Sequence, residues 1–373
     1  MRTKVSEDKY LLPEPVGSQP KYWLEMDGKR YLFKLATYKQ DKTPVYNDIS
    51  ECMAADIANV LGISTAKYLL CEDSAGRKGV LSEDFLNNAT YGPKREEFYD
   101  GVYLINQIDP GFKNTSLINP KTHQYYTVDL VLQSIERFGL QKDVLNMLIF
   151  DALIANRDRN PSNYGIIIDH KTRNIRFAPL YDSATSLGLS LVDHRLEKCF
   201  DKDGNIVDEE HLNNVIHHQF VGKITLERFS QYDDKKLWDS EEEKRILTLI
   251  EDERSKLIPL VESGKITVDE YHKRLNSVGN QYRKFDITTL QYQTLMKYLT
   301  FNYPNEIEEV MHNVAKLDRE KIDEAFDKYK EQLPIARLNM AKELVSRRAS
   351  WMKNYYYENK NESRIAKGGK QVW

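Results

Sequence analysis

From Val144 to Ile154 almost every side chain is apolar, whichever way a helix would turn it: Val144, Leu145, Met147, Leu148, Ile149, Phe150, Ala152, Leu153 and Ile154. Such a segment reads as a helix buried on all sides rather than an amphipathic surface helix. The rest of the chain must then supply a core around it, and 373 residues with 40% hydrophobic content allow that. This length suggests two domains or one two-lobed unit.

A polar loop, Asn156-Arg157-Asp158-Arg159-Asn160-Pro161-Ser162-Asn163, hangs from the end of this post. Tyr164 to Ile168 and Ile175 to Leu180 are short runs rich in branched apolar residues, separated by six polar ones, and predict a tight hairpin. Folding the hairpin back brings Asp182 near Asn163. Asp-Arg-Asn-Pro-Ser-Asn is also plain turn chemistry. With the hairpin and Asp182 added, however, Asp158, Asn163 and Asp182 make a set suited to phosphoryl transfer. One carboxylate stands near an acceptor hydroxyl, and an amide and a second carboxylate hold the magnesium that neutralises the phosphate.

Upstream, Tyr22 to Met26 and Arg30 to Leu35 suit strands joined by Asp27-Gly28, a strong two-residue hairpin signal. Met1 to Pro20, punctuated by Pro13, Pro15 and Pro20, reads as an extended arm. Alternation along the second strand puts Tyr31, Phe33 and Leu35 on one face and Leu32, Lys34 and Ala36 on the other. Asn47 or Asp48 then caps a helix carrying Glu51 in its first turn, with Gly62 as its stop. A strand lysine followed by a helix glutamate is a way to aim an ammonium at nucleotide phosphates. Tyr68 to Cys71 and Gly79 to Ser82 complete a small sheet, and Ser82 to Phe85, with Glu83, form the connection where a nucleotide base meets backbone groups.

Residues 87–127 are weakly patterned and give no functional signal. Asp129 to Phe138 predicts a helix ahead of the buried one. After Leu187 the chain becomes charged and helical: Glu241 to Leu260, a segment opened by the capping box Thr267 to Glu270, Ile287 to Leu299, Arg319 to Leu333, and Ile335 to Tyr357 after Pro334. His211, His217 and His218 lack the partner pattern of a metal site and read as structural or solvent-exposed.

A net charge of -3 gives no case for nucleic acid or anionic membrane as the main partner. No apolar run approaches the roughly 18 residues that span a bilayer, and Cys52, Cys71 and Cys199 form neither a disulfide framework nor a zinc pattern. A reducing, cytoplasmic location is the expectation.

Four motifs together resemble the HipA-like protein kinases of bacteria. Gly17-Ser18-Gln19-Pro20-Lys21 is similar to the family's nucleotide loop, and Tyr31 to Leu35 to its lysine strand. Ser50-Glu51, with Ile57-Ala58 and Leu61-Gly62-Ile63, is similar to its glutamate helix. Asp158 to Asn163 with Pro179-Leu180-Tyr181-Asp182 is similar to its catalytic loop and magnesium aspartate. The resemblance implies an α+β, two-lobed protein-kinase-like fold: a small antiparallel-sheet lobe with one helix over residues 1–86, and a large, mostly helical lobe over 87–373. It implies Lys34 on the nucleotide phosphates, oriented by Glu51, and Asp158 as the base. Asn163 and Asp182 become magnesium ligands, and Gly17, Ser18, Gln19, Lys21 and Glu83 nucleotide contacts. ATP and Mg2+ are the implied cofactors and a serine/threonine protein the implied substrate. Only Met1 to Val16 precede the nucleotide loop, where toxin members carry an extra N-terminal subdomain, so the resemblance does not extend to an antitoxin partner. The residues leave open a kinase of small molecules or lipids, and a pseudokinase used as a binding module.

Overall fold

The computed structural model describes residues 2–6, 10–13, 20–86, 94–122, 124–217, 224, 252–261, 263, 265–267, 270–271, 274 and 291–362, with 10–13 and 362 described by backbone alone. The chain divides into two compact units, residues 1–226 with 290–372, and residues 227–289. In the second unit residues 252–261 are helical, and Thr267 Oγ1 accepts the Glu270 N–H at 3.1 Å, as a capping box requires. Residues 241–251 of the expected helix lie outside the described residues.

The first unit opens with a six-stranded sheet in the order β1-β5-β6-β4-β3-β2. Its strands are β1 (Thr3–Val5), β2 (Tyr10–Pro13), β3 (Lys21–Met26), β4 (Lys29–Leu35), β5 (Tyr68–Asp73) and β6 (Lys78–Glu83). The β3–β4 turn follows from sequence: Asp27 and Gly28 both take positive φ, 52° and 72°, matching the right-handed twist of the strands. Tyr31 and Phe33 join Val5, Leu24, Cys71 and Leu81 in a small core on one face, which leaves Lys34 on the other.

The supposed arm supplies both sheet edges. β1 pairs with β5 in parallel, the one parallel pairing in an otherwise antiparallel sheet. Arg2 holds it there: its guanidinium donates to the Cys71 and Gly79 carbonyls and to Gln332, and pairs with Asp48 at 2.8 Å.

Helix α1 (Asn47–Val60) lies between β5, β6 and the helix Arg319–Phe326. Neither Asn47 nor Asp48 caps it. The preceding residue, Tyr46, is left-handed, Asn47 Oδ1 accepts the Thr37 N–H at 2.7 Å, and Asp48 is taken by Arg2. Gly62 (φ 71°) does end it. Its outer side is tied to the C-terminal helices. Asp56 accepts from the Tyr329 hydroxyl at 2.6 Å and pairs with Lys328 at 2.8 Å, while the Leu61 carbonyl accepts from Asn313 at 3.0 Å.

The helical part contains α2 (Gly101–Ile108), α3 (Val128–Glu136) and α4 (Gln141–Ile154), then α5 (Asp193–Leu196) and α6 (Glu209–His217). The helices Tyr292–Asn302, Glu308–Ala315, Arg319–Phe326 and Ile335–Asn359 follow. α4 is the expected post: Val144, Met147, Leu148, Ile149, Ala152, Leu153 and Ile154 have no exposed surface. The hairpin after it, β8 (Gly165–Asp169) and β9 (Ile175–Phe177), gains a third strand from the weakly patterned region, β7 (Glu96–Asp100). Only glycine fits at 165, because a Cβ there would run into the Tyr99 carbonyl and the Phe98 ring. No helix of the described residues is long and apolar enough to cross a membrane.

Candidate active site

α4 ends with Ala155 in the left-handed region, and the polar loop begins there. Asn156, fully buried, donates to Asp151 at 2.8 Å and accepts the Asp158 N–H at 3.2 Å. Asn160 caps the 3-10 turn Pro161–Asn163 by accepting the Ser162 N–H at 2.9 Å. Asn163 donates its side-chain amide to the Asp158 carbonyl at 2.7 Å. Its Oδ1 remains an acceptor with no partner among the described residues. The turn residues fix where Asp158 and Asn163 sit.

Arg159 is the keystone of this loop and has no exposed surface. Nε and Nη2 form a two-pronged pair with Asp151 of α4 at 2.8 and 2.9 Å, while Nη1 donates to the Asn163 carbonyl at 2.6 Å and the Tyr181 carbonyl at 2.8 Å. Burial would lower the guanidinium pKa, but the Asp151 charge outweighs it. One cation therefore spaces Asn163 against the residue preceding Asp182. The sequence carried a signal for it, an acid at 151 inside an apolar helix and an arginine eight residues on.

On the sheet side, Lys34 Nζ stands 2.9 Å from Glu51 and 3.2 Å from Asp182. Lys34 is 6% exposed and Glu51 2%, so both charges are desolvated and depend on each other. Burial works against the ammonium, yet the Glu51 and Asp182 charges hold its pKa above the ordinary lysine value. Burial pushes the Glu51 carboxyl up against the pull of Lys34. For Asp182, burial is outweighed by Lys34 and Lys21, and its carboxyl lies below the usual range. Lys21, paired opposite Lys34 in the β3–β4 ladder, thereby acts on the same carboxylate. Next to Glu51, the fully buried Ser50 donates to the carbonyls of Ser183 and Ser186, tying α1 to the segment after Asp182.

Glu83 is at the end of β6, but its carboxylate is turned to Lys29 and Lys67, at 3.1 and 3.8 Å, and its N–H donates to the Lys67 carbonyl. Beyond it, Phe85 meets Phe98 and Tyr181 with ring centroids 5.7 Å apart in each case. Gly17, Ser18 and Gln19 lie outside the described residues. Among the histidines, His217 Nδ1 meets the Tyr292 hydroxyl at 2.6 Å, His218 is outside the described residues, and no cluster of three or more metal-ligating side chains occurs among those described.

No protein-family model matches the sequence and no curated protein matches it. Among solved structures, the chain is similar to the Helicobacter pylori proinflammatory kinase CtkA at 17% identity and a TM-score of 0.61, over 96% of this chain and 98% of that one. It is also similar to HipA of the Shewanella oneidensis toxin–antitoxin system, at 14% identity and a TM-score of 0.47, over 95% and 68%. The chain thus has a kinase fold, with a sheet lobe and a helical lobe, the fold that the resemblance to HipA-like kinases implied.

Proposed function

We propose that the chain is an ATP- and magnesium-dependent phosphotransferase that moves the γ-phosphoryl group to a serine or threonine hydroxyl of a protein. The observation that carries this reading is the sharing of the Lys34 ammonium between Glu51 and Asp182, beside a loop that presents Asp158 and Asn163. Glu51 holds the ammonium toward the nucleotide phosphates. Asp158 takes the proton of the acceptor hydroxyl as its oxygen attacks phosphorus and ADP leaves. Gly17, Ser18, Gln19 and Lys21 are the proposed phosphate contacts, and Glu83 marks the connection proposed to meet the nucleotide base.

The donor set suits magnesium. Asp182 supplies a carboxylate held ionised by two lysines, and Asn163 supplies an amide oxygen whose own nitrogen is already committed to the Asp158 carbonyl. Magnesium is characteristically held by one or two protein oxygens plus substrate phosphates. Bound there, it would neutralise the triphosphate.

The protein acceptor rests on the resemblance to HipA-like protein kinases, and a reducing, cytoplasmic location rests on the cysteine pattern, the three cysteines being free and buried. The test is mass spectrometry of phosphosites after incubation with ATP, run beside Asp158→Asn and against lipid and metabolite panels. New phosphoserine or phosphothreonine with the wild type alone supports the reading. Transfer to a lipid or metabolite alone would replace the acceptor class, and no turnover on any panel would remove the enzyme.

A further inference from the structure

The peptide unit joining Tyr181 to Asp182 is held at both ends, from different lobes. Its carbonyl accepts from Arg159 at 2.8 Å, and its N–H donates to the Tyr68 hydroxyl at 3.3 Å. Tyr68 reaches it because the chain just ahead of β5 runs beside the chain leading to Asp182. Thr65 and Leu180 form a parallel bridge, Ala66 N–H donates to the Leu180 carbonyl at 2.8 Å, and Leu180 N–H donates to the Ser64 carbonyl at 2.9 Å. This peptide plane sets the left-handed backbone of Asp182, φ 58°, a conformation with a cost for any residue other than glycine. A rotation of the plane would swing the Asp182 carboxylate away from Lys34.

We infer that Tyr68 is a positioning residue: with Arg159 opposite, it clamps the Tyr181–Asp182 peptide and so fixes the orientation of the carboxylate offered to magnesium and Lys34. The inference rests on the phosphotransferase reading. Arg159 is anchored in the catalytic loop through Asp151 and Asn163, whereas Tyr68 belongs to the sheet, so the clamp is complete only when both lobes contribute. The Tyr68 hydroxyl also neighbours the Glu51 carboxylate. Tyr68 therefore adjoins both partners of Lys34.

The experiment is Tyr68→Phe, which keeps the ring and removes the oxygen. Loss of one such bond should raise the half-saturating Mn2+ concentration for ATP binding, and accelerate hydrogen exchange of the Asp182 amide, each by about two- to tenfold. The effect should fall on metal half-saturation rather than on kcat at saturating metal, a split that a general loss of packing would not produce. Unchanged metal dependence and unchanged amide exchange would overturn the inference, as would a fall in kcat with metal dependence intact. Absence of metal-dependent ATP binding in the wild type would instead sink the phosphotransferase reading, and this one with it, before any variant is compared.

Discussion

Asn163 donates its side-chain amide to the main-chain carbonyl of Asp158 at 2.7 Å. The residue proposed for metal and the residue proposed for the proton are thereby set at a fixed offset, and the amide oxygen has no partner among the described residues. The Asp158 carboxylate accepts from the Asn160 side-chain amide at 3.4 Å. Asp158→Asn is expected to lower phosphoryl transfer by on the order of 10²- to 10⁴-fold, the usual contribution of a general base. Single-turnover transfer from labelled ATP measures this, and turnover equal to wild type would remove Asp158 from the mechanism.

Asp182→Asn should act earlier, on nucleotide binding. The substitution removes the carboxylate that Lys34 and Lys21 hold ionised. Titration calorimetry with ATP is expected to show weaker binding in the presence of magnesium and little change in its absence. Equal affinity in both conditions would take Asp182 out of the metal site.

The Lys34–Glu51 pair makes a prediction about stability that is separate from activity. With both groups buried, removing one partner strands the other, at a cost of about 3–5 kcal/mol, whereas replacing both by apolar residues is often close to neutral. Lys34→Met should therefore lower the urea midpoint substantially. Lys34→Met combined with Glu51→Leu should recover much of that loss while leaving transfer abolished. A double variant as unstable as the single one would show that the pair is not the source of the effect.

Asp169 opens the turn between β8 and β9, with Asn163 before the hairpin and Asp182 after it. Hydrogen bonds from Arg95 at 2.7 and 2.9 Å, with the Thr172 and Lys171 N–H groups, hold its carboxyl well below the usual carboxylate range. Because the folded-state pKa is depressed, the stabilisation is present in full above the ordinary aspartate value, near pH ~4, and is lost as pH falls through the folded value. Melting temperatures taken from pH 6 downward should fall more steeply for wild type than for Asp169→Asn below about pH 4. Parallel curves would show that this turn does not carry the acid sensitivity.

Much of this arrangement is local in origin and therefore legible. Asp27-Gly28 dictates its turn whatever surrounds it, Gly62 ends α1, and α4 is recognisable from an apolar run that no surface helix tolerates. The alternation that put Lys34 opposite Tyr31 and Phe33 is a property of one strand. What sequence reasoning missed depends on partners far along the chain. β1 is three residues long and becomes a strand only because β5 offers an edge and Arg2 finds two carbonyls and Asp48. β7 has no pattern of its own until β8 lies beside it. Asn47 and Asp48 have good capping chemistry, yet Thr37 and Arg2 compete for them and win. Arg159 and Tyr68 look like an ordinary loop cation and strand aromatic, because their meaning lies in a single peptide bond that neither adjoins in sequence.

Arg2 touches β5, β6, the first turn of α1 and, through Gln332, the C-terminal helical region. Residues 2–5 are therefore fastened at once to the sheet edge, to α1 and to the C-terminal helical region. A protease clip after residue 5, or a bulky fusion that drags these residues off the sheet edge, would be transmitted along α1 to Glu51, and so would disturb the proposed Lys34–Glu51 pair from a distance.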